Sequence, residues 1–398
     1  MDDYFKPIEM TIDETGVRSG RRDRFTAVFG ILTAALLVIG FILQLCLPDK
    51  AYSATEKRML EQFPVFSAES LLEGTYTSRA EEWMADQFPG RDVWMTVKTQ
   101  MSLLLGQTVS HGVCRTRDGR LIALFDEPDA ALMAENAAAV NGFVSAHPES
   151  HAFFMPVPTQ AGMNAESLPA NAPSADQNAF IDAFCAALSG NVTVLDVRPA
   201  LSAAKSAGTK IYYATDHHWT TDGAYAAYRA VCGPLGWAEE RFERSVVCGS
   251  FVGSLSASGG FRLPVSDEIA LYRQEENGVL LAVLDPETGT RAVSCYDAGA
   301  LEGDDPYEVF FGGNFPRLTI ETSADTDRTL LVFKDSYANC FLPFAAGQYR
   351  RIDIIDPRYY AESASRLFAT ESYTDILFLY NADTLSKDTS LRKVLGQE

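Results

Sequence analysis

The hydrophobic pattern of this chain begins with one long apolar run. Phe25 to Leu47 (FTAVFGILTAALLVIGFILQLCL) is 23 residues long, contains no charged residue and has one side-chain amide, Gln44. As an α-helix it would be about 35 Å long, enough to cross a hydrocarbon core of about 30 Å. The run therefore predicts a transmembrane helix, with a buried helix of a soluble protein as the alternative interpretation.

Residues 48–110 show mainly helical patterns and predict a helical juxtamembrane segment. Ser67 is placed to cap a short helix that stops at Gly74. The stretch after Gly74 is divided into two helices by the dipeptide Pro89-Gly90. The apolar faces of those helices carry Trp83, Phe88, Trp94, Val97 and Met101.

Residues 111–398 alternate between short apolar strands and amphipathic helices, after a hairpin at residues 114–125. Ser174 and Gln177 stand in capping-box register at the start of one helix, and Thr220 or Thr221 caps another. This alternation predicts a doubly wound parallel α/β sheet. A β-rich insertion interrupts it at about 238–325, where strand-like stretches alternate with turn-rich pieces. The predicted sheet strands are HAFFMPVP, VTVLDV, IYYAT, TLLVFKD, RIDII and DILFLYN.

Charge and composition narrow the location and the partners. The content of 47% hydrophobic and 22% charged residues is typical of a folded protein, and the net charge of −20 argues against a nucleic-acid partner. Four arginines within residues 18–24 precede the apolar run. The positive-inside rule then places residues 1–24 in the cytoplasm and everything after residue 47 outside it. We expect a signal anchor at residues 25–47 rather than a cleaved signal peptide.

The cysteines leave two possibilities open. Seven are present, and the six that follow the apolar run show neither a CxxC pair nor zinc-like spacing. Disulfides are possible outside the cell, with Cys232 and Cys248 the closest pair, and buried free thiols are the alternative.

Polar side chains stand at the ends of several predicted strands, where an open α/β sheet binds its ligands. Ser336 follows TLLVFKD, and Asn381 follows DILFLY. The acid–histidine pair of Asp216 and His218 follows IYYAT. Asp356 and Arg358 follow RIDII. We expect these groups to converge.

Serine becomes a good nucleophile when a neutral imidazole removes its proton, and a carboxylate on the other ring nitrogen fixes the tautomer. Ser336, His218 and Asp216 have the residue types of such a triad. The developing oxyanion would need donors, for which the backbone near Ser336, the loop at Asp356 to Arg358 and the Asn381 amide are candidates.

The stretches ATDHHWTTDGAY, FKDSYANCFLPF, IDPRYY and LFLYN resemble the DHHW family of bacterial surface proteins. That family is similar to the alginate O-acetyltransferase (AlgJ/AlgX-like) branch of the SGNH hydrolases, and the resemblance covers roughly residues 50 to 395. In those acetyltransferases the base motif is Asp-x-His-Trp, which aligns Asp216 and His218, and the nucleophile falls on Ser336. Asn381 lies where SGNH enzymes carry an oxyanion asparagine. The usual GDS and GxND motifs are absent.

The resemblance implies an SGNH-like domain that transfers an acyl group, most simply acetyl, through Ser336 to a hydroxyl of an envelope or exported polysaccharide, or to water. It also implies a multi-pass membrane O-acyltransferase as the acetyl donor, and it requires no cofactor or metal. A catalytically inactive glycan-binding or assembly module is the alternative function.

Further residues complete the predicted site. His217 is expected to support the loop by hydrogen bonding, Trp219 to pack it, and Tyr337 to line the acyl pocket or pack. Arg358 would either position substrate or pair with Asp356. The DHH sequence also occurs in metal-dependent phosphoesterases, which leaves a metal site as a further, less favoured interpretation.

Overall fold

The computed structural model describes residues 19–53, 58–262, 265–274 and 281–396. The chain divides into two compact units, one of Met1–Ser53 with Met59–Arg91 and one of Ala54–Arg58 with Asp92–Glu398. Of the predicted cytoplasmic segment, residues 1–18 lie outside the described residues. The domain boundaries given above stay a prediction.

The first unit contains a long apolar helix and two shorter ones. The side chains of the apolar helix from Phe25 to Ile39 are exposed and Gln44 is buried, and the length and composition of the helix would allow it to cross a membrane. Near its end, the Gln44 amide donates to the Met84 carbonyl at 3.1 Å. The predicted cap is present, since Ser67 Oγ accepts from the Ser70 amide. The helices of the first unit are α1 (Ser19–Cys46), α2 (Ala68–Leu72) and α3 (Thr75–Asp86).

The remaining elements of the described residues, including the short strands of the first unit, follow in chain order. The helices are α4 (Arg91–Leu104), α5 (Ala130–Ala146), α6 (Gln160–Met163), α7 (Gln177–Ala187), α8 (Arg198–Ser206), α9 (Thr221–Leu235), α10 (Ser254–Ser258), α11 (Ala382–Lys387) and α12 (Leu391–Leu395). The 3₁₀ segments are Ala165–Ser167, Ala298–Glu302, Pro306–Val309, Ser336–Cys340, Leu342–Gln348 and Ala364–Ala369. The strands are β1 (Tyr52–Ser53), β2 (Arg58–Met59), β3 (Val109–Ser110), β4 (Val113–Arg115), β5 (Leu121–Ala123), β6 (His151–Val157), β7 (Val192–Val194), β8 (Phe242–Phe251), β9 (Asp267–Gln274), β10 (Leu281–Leu284), β11 (Arg291–Ala292), β12 (Arg317–Thr322), β13 (Thr329–Lys334), β14 (Arg351–Ile355) and β15 (Asp375–Asn381).

The central sheet confirms the predicted α/β class. Within the described residues it has eight strands in the order β11-β10-β12-β14-β13-β15-β6-β7. The strands from β14 to β7 are parallel, whereas β12, β10 and β11 extend one edge in antiparallel fashion. Part of the region predicted as a β-rich insertion therefore continues the main sheet, while β8 and β9 form a separate two-stranded ladder.

The core lies on both faces of the sheet, because its central strands are buried throughout. Along β13, Leu330 and Val332 pack into one apolar cluster, and Leu331 and Phe333 pack into the other. Such continuous apolar strands are typical of parallel sheets covered on both sides. The covered sheet gives the carboxyl ends of β13 and β15 a rigid position.

Several local predictions were wrong. IYYAT is not a sheet strand, and only an isolated bridge joins Tyr212 to Trp219, because the chain reverses there. The segments ANCFLPFAAGQY and ESASRLFATES form 3₁₀ turns rather than α-helices. Asp176, and not Ser174, caps α7.

The α9 cap was predicted correctly at Thr220, and the cysteines are free. Thr220 Oγ1 accepts from the Gly223 amide at 3.1 Å and donates to the Lys210 carbonyl at 2.6 Å. All seven cysteines lie within the described residues, and none is in a disulfide.

Replacing Thr220 by alanine should destabilise the protein by roughly 1–2 kcal/mol, because the α9 cap and the tie to Lys210 are both lost. Urea unfolding of the Thr220→Ala and Thr193→Ala variants measures this. Thr193 is exposed on β7 and serves as the control, with an expected change within about 0.5 kcal/mol. Equal free energies of unfolding for Thr220→Ala and wild type would contradict the assignment.

Candidate active site

The loop that carries Asp216 and His218 is fastened by the carboxylate of Asp267, at the start of β9. One carboxylate oxygen accepts from the Ala214 amide at 2.9 Å, and the other accepts from the Thr215 amide at 2.9 Å and the Thr215 hydroxyl at 2.7 Å. Because three donors converge on one side chain, the loop has a fixed shape although it is not part of a sheet.

The loop that carries Ser336 leaves the carboxyl end of β13. Asp335 caps the 3₁₀ turn Ser336–Cys340, and its Oδ1 accepts from the Tyr337 amide at 2.8 Å. Its Oδ2 accepts from the backbone and side-chain amides of Asn381, both at 2.7 Å. Burial raises the pKa of Asp335 to about 6, against the lowering effect of Arg358 and of these backbone donors.

The two loops meet at a line of three side chains. Ser336 Oγ lies 2.8 Å from His218 Nε2, across 118 residues of sequence. His218 Nδ1 lies 2.6 Å from Asp216 Oδ1, which also accepts from the His218 amide at 2.9 Å. The relative exposures of Asp216, His218 and Ser336 are 2%, 6% and 8%. This is the hydrogen-bond order of a nucleophile, a base and an orienting acid.

Ser254, which sequence reasoning missed, completes the environment of Asp216. Asp216 Oδ2 accepts from the Ser254 amide at 2.8 Å and from its hydroxyl at 2.9 Å. A Cβ on Gly253 would lie 2.1 Å from Asp216 Cβ, so glycine is needed for this approach. Ser254 lies in a serine- and glycine-rich stretch with no recognisable motif, and no sequence signal marks it.

His217 joins the same hydrogen-bond chain from outside. Its Nδ1 lies 2.9 Å from Ser254 Oγ, whose single proton is donated to Asp216, so His217 is the donor. Tyr337 donates its hydroxyl to the His217 carbonyl, and Trp219 donates its indole N–H to the Tyr337 carbonyl at 2.9 Å. These contacts join the two loops.

The imidazole of His218 is held neutral by its surroundings. Burial lowers the pKa of His218 to about 4, and the charge of His217 acts in the same direction. Asp216 and Asp305 oppose this effect. Tyr307, another residue that the sequence did not reveal, stacks on the ring with 3.9 Å between centroids and 13° between planes. A neutral His218 is able to accept the proton of Ser336.

A buried ionic cluster lies next to the nucleophile. Lys334 Nζ donates to Asp356 at 3.2 Å, Asn339 at 2.9 Å and Asn314 at 3.1 Å. Burial lowers the pKa of Lys334, against the raising effect of Asp356. Arg358 pairs with both oxygens of Asp356, at 2.9 and 2.7 Å. Of the two roles expected for Arg358, the structure shows the ion pair.

Asn381 and Arg358 do not present the oxyanion donors that the sequence suggested. The Asn381 amide gives one hydrogen to Asp335 at 2.7 Å and the other to Thr384 at 2.8 Å. The Arg358 backbone amide donates to Asp356 Oδ1 at 3.3 Å. Both residues are engaged in holding the loops, and Asn381 also caps α11.

A cavity of about 160 Å³ lies beside the two loops. The polar residues in its lining include Gln160, whose amide donates to the Tyr213 carbonyl at 2.6 Å. Gln160 Oε1 is buried and accepts no hydrogen bond from the described residues. The lining comprises Ala123, Thr159, Gln160, His217, Leu255, Tyr337, Asn381, Asp383 and Thr384.

The same loop contains potential metal ligands. Asp216, His217 and His218 each offer a ligand atom, and these atoms lie within 4.8 Å of one another. However, both ring nitrogens of His218 are engaged, with Asp216 and with Ser336. A metal on His218 would therefore have to displace one of these partners.

Two family models match the chain. Residues 56–147 match the DHHW protein family, and residues 124–243 match the SGNH hydrolase-like domain of the acetyltransferase AlgX. The second match includes Asp216 and His218 and ends before Ser336. The resemblance predicted from the motifs is confirmed, and the second unit carries an SGNH hydrolase-like fold.

Solved structures agree with this fold. A DHHW family protein from Eubacterium siraeum is 25% identical, with a TM-score of 0.61 over 71% of this chain and 95% of the other. Bacillus cereus PatB1 is 20% identical, with a TM-score of 0.61 over 71% of this chain and 99% of PatB1. PatB1 has also been solved with a sulfonyl adduct. No curated protein matches the chain significantly.

The His218 ring should titrate near pH 4 rather than at its usual pKa of about 6.5. Nitrogen-15 NMR of labelled histidine measures this, with the His218→Gln variant identifying the signal. Above pH 4 the ring should be neutral, with its proton on Nδ1 facing Asp216. A midpoint at or above the usual value would show that the carboxylate outweighs burial.

Proposed function

We propose that this protein is a serine acyl-transfer enzyme, an O-acetyltransferase or O-acetylesterase that acts on an envelope or exported polysaccharide. The observation that carries the proposal is the continuous hydrogen-bond line from Ser336 Oγ through His218 to Asp216. The SGNH hydrolase-like fold and the family match to the acetyltransferase AlgX support it.

The proposed reaction has two halves. Ser336 Oγ attacks the acyl carbonyl carbon while its proton passes to His218 Nε2, and Asp216 stabilises the resulting imidazolium. The tetrahedral intermediate collapses to an acyl-serine as the leaving group takes the proton from His218. In the second half a sugar hydroxyl or water gives its proton to His218 and attacks the acyl carbon. Ser336 is then released with its proton restored.

The oxyanion of each intermediate needs donors that the support network has not used. We assign the Ser336 backbone amide to this role. Asn381, Arg358 and Asp356 then act as positioning residues, because they hold Asp335 and the loop after β14.

The cavity beside the loops is the proposed acceptor site. Gln160 Oε1 and the Asp383 carboxylate are hydrogen-bond acceptors, which suits the hydroxyl groups of a sugar. At about 160 Å³ the cavity is smaller than the roughly 300 Å³ at which drug-sized pockets begin, so it would hold one sugar unit of a longer chain. Tyr337 lines this cavity.

The proposed location follows from α1. Residues 25–47 would anchor the protein in the cell membrane, with residues 1–24 cytoplasmic and residues 48–398 extracytoplasmic. The acetyl group would then come from a multi-pass membrane O-acyltransferase. No cofactor is required.

One observation favours a second candidate. The clustered ligand atoms of Asp216, His217 and His218 would suit a metal-dependent phosphoesterase. The hydrogen bonds of His218 to Asp216 and Ser336 favour the serine mechanism.

The Ser336→Ala and His218→Ala variants should each lower p-nitrophenyl acetate turnover by roughly 10³-fold or more, since the triad acts as a unit. The Ser336→Ala variant should also lose labelling by a sulfonyl fluoride, a serine-directed reagent. Ser206→Ala, an exposed serine at the end of α8, is the matched control and should behave as wild type.

Turnover and labelling that stay unchanged in both triad variants would rule out the proposed serine enzyme. Glycan binding that survives in Ser336→Ala, together with no turnover in the wild type, would instead favour a binding module.

Chelation distinguishes the metal alternative. Prolonged treatment with EDTA should leave p-nitrophenyl acetate turnover unchanged, because the serine mechanism uses only protein groups. Metal analysis of the purified protein accompanies the measurement. Loss of turnover that Zn²⁺ or Mn²⁺ restores would contradict the serine mechanism.

A further inference from the structure

Helix α4 carries an uncovered apolar side. At about 100° per residue, the exposed large apolar residues of α4 fall within an arc of roughly 120°, and Met95 and Leu103 lie outside that arc. Their relative exposures lie between 49% and 81%, although side chains of this type are normally buried. The residues are Val93, Trp94, Val97, Met101 and Leu104 of α4 and Leu105 directly after it, and we call them the α4 apolar face.

The opposite side of α4 is fixed to the second unit. Thr99 is buried, and its hydroxyl donates to the Gly259 carbonyl at 2.9 Å. A Cβ on Gly260 would lie 2.7 Å from Thr99 Oγ1, so the helix packs tightly there. The α4 apolar face therefore belongs to a well-seated helix, and its exposure is not a sign of a loose terminal segment. Contiguous exposed apolar patches mark interaction sites.

The start of α4 is close in sequence to residues that contact the apolar helix α1. Within the first unit, Phe88 lies so close to Gly40 that a Cβ there would be 3.4 Å from Phe88 Cζ. Gly40 precedes the end of α1 at Cys46 by six residues, or about 9 Å along the helix. Arg91, where α4 begins, follows Phe88 by three residues. If α1 spans a bilayer, α4 therefore begins at the bilayer surface.

The occupant of such a face is then a lipid bilayer rather than a soluble protein. Amphipathic helices lie in the membrane interface with the apolar side in the headgroup and acyl boundary. Trp94 has the amphipathic ring that is enriched at that level. The net charge of −20 opposes attraction to anionic lipids, so the binding would depend on apolar contact.

We propose that the α4 apolar face lies in the interfacial layer of the same membrane that α1 crosses. The inference rests on the proposal that α1 spans the membrane and is independent of the proposed chemistry. Since Thr99 fixes α4 to the second unit, lipid binding would hold that unit at the membrane surface instead of leaving it on a free tether.

The test uses the full chain in phosphatidylcholine nanodiscs whose lipids carry bromine near the headgroup end of the acyl chains. Bromine quenches tryptophan fluorescence at short range, and the chain has four tryptophans. Bromine should quench part of the tryptophan fluorescence of the wild type. The part of this quenching that is due to Trp94 should be absent in Trp94→Phe. Trp83→Phe is the matched control, because Trp83 is buried and hydrogen-bonded to Asp49. The quenching of Trp94 should remain in this variant.

A second variant tests the face without removing the probe. Val97→Asp places a charge on the α4 apolar face and should reduce the quenching of Trp94. Ser206→Asp, which places the same charge at the exposed end of α8, should not reduce it.

Each result bears on the inference. Equal quenching in wild type and Trp94→Phe, with the protein firmly in nanodiscs, would overturn it alone. Failure of the full chain to associate with nanodiscs would overturn both the membrane span and this inference. Neither readout depends on catalytic activity, so the proposed chemistry is tested separately.

Discussion

The hydrogen bond between Ser336 Oγ and His218 Nε2 is the contact on which the proposed chemistry depends. It joins two loops that are 118 residues apart, so no local sequence feature can secure its 2.8 Å length. That length is maintained from both sides, by Asp267 beneath the histidine loop and by Asp335 beneath the serine loop. The other polar groups around the site hold the two loops so that this distance is kept.

The support on the serine side consists largely of buried charge. Lys334, Asp335 and Asp356 are almost fully buried, and each charge removed from water costs several kcal/mol unless it is paired. Hydrogen bonds from Asn381 and Arg358 offset that cost. An apolar cluster of similar volume is often at least as stable, but it has no groups that could hydrogen-bond the Ser336 loop. We infer that the buried charges serve the geometry of this loop rather than the stability of the fold.

The sequence was sufficient where the signal is local and repeated. Buried strands such as β13 and β15, the break at Pro89-Gly90 and the Thr220 cap follow from apolar runs and turn chemistry. The apolar residues of IYYAT misled the strand prediction, because they fill the core from a loop rather than from a strand. Ser254 and Tyr307 were missed because they reach Asp216 and His218 only through tertiary contacts. Asn381 was found at the correct strand end, but its partners depend on side-chain directions that a sequence does not give.

The most direct test of the central claim is the location of the acyl group itself. The protein is reacted briefly with p-nitrophenyl acetate, quenched in acid, digested and examined by peptide mass spectrometry. We expect the acetyl group on Ser336, and no acetylation at this position in the His218→Ala variant, because the hydroxyl then has no base. Acetyl groups found only on lysines, or on Ser336 to the same extent without His218, would contradict the account.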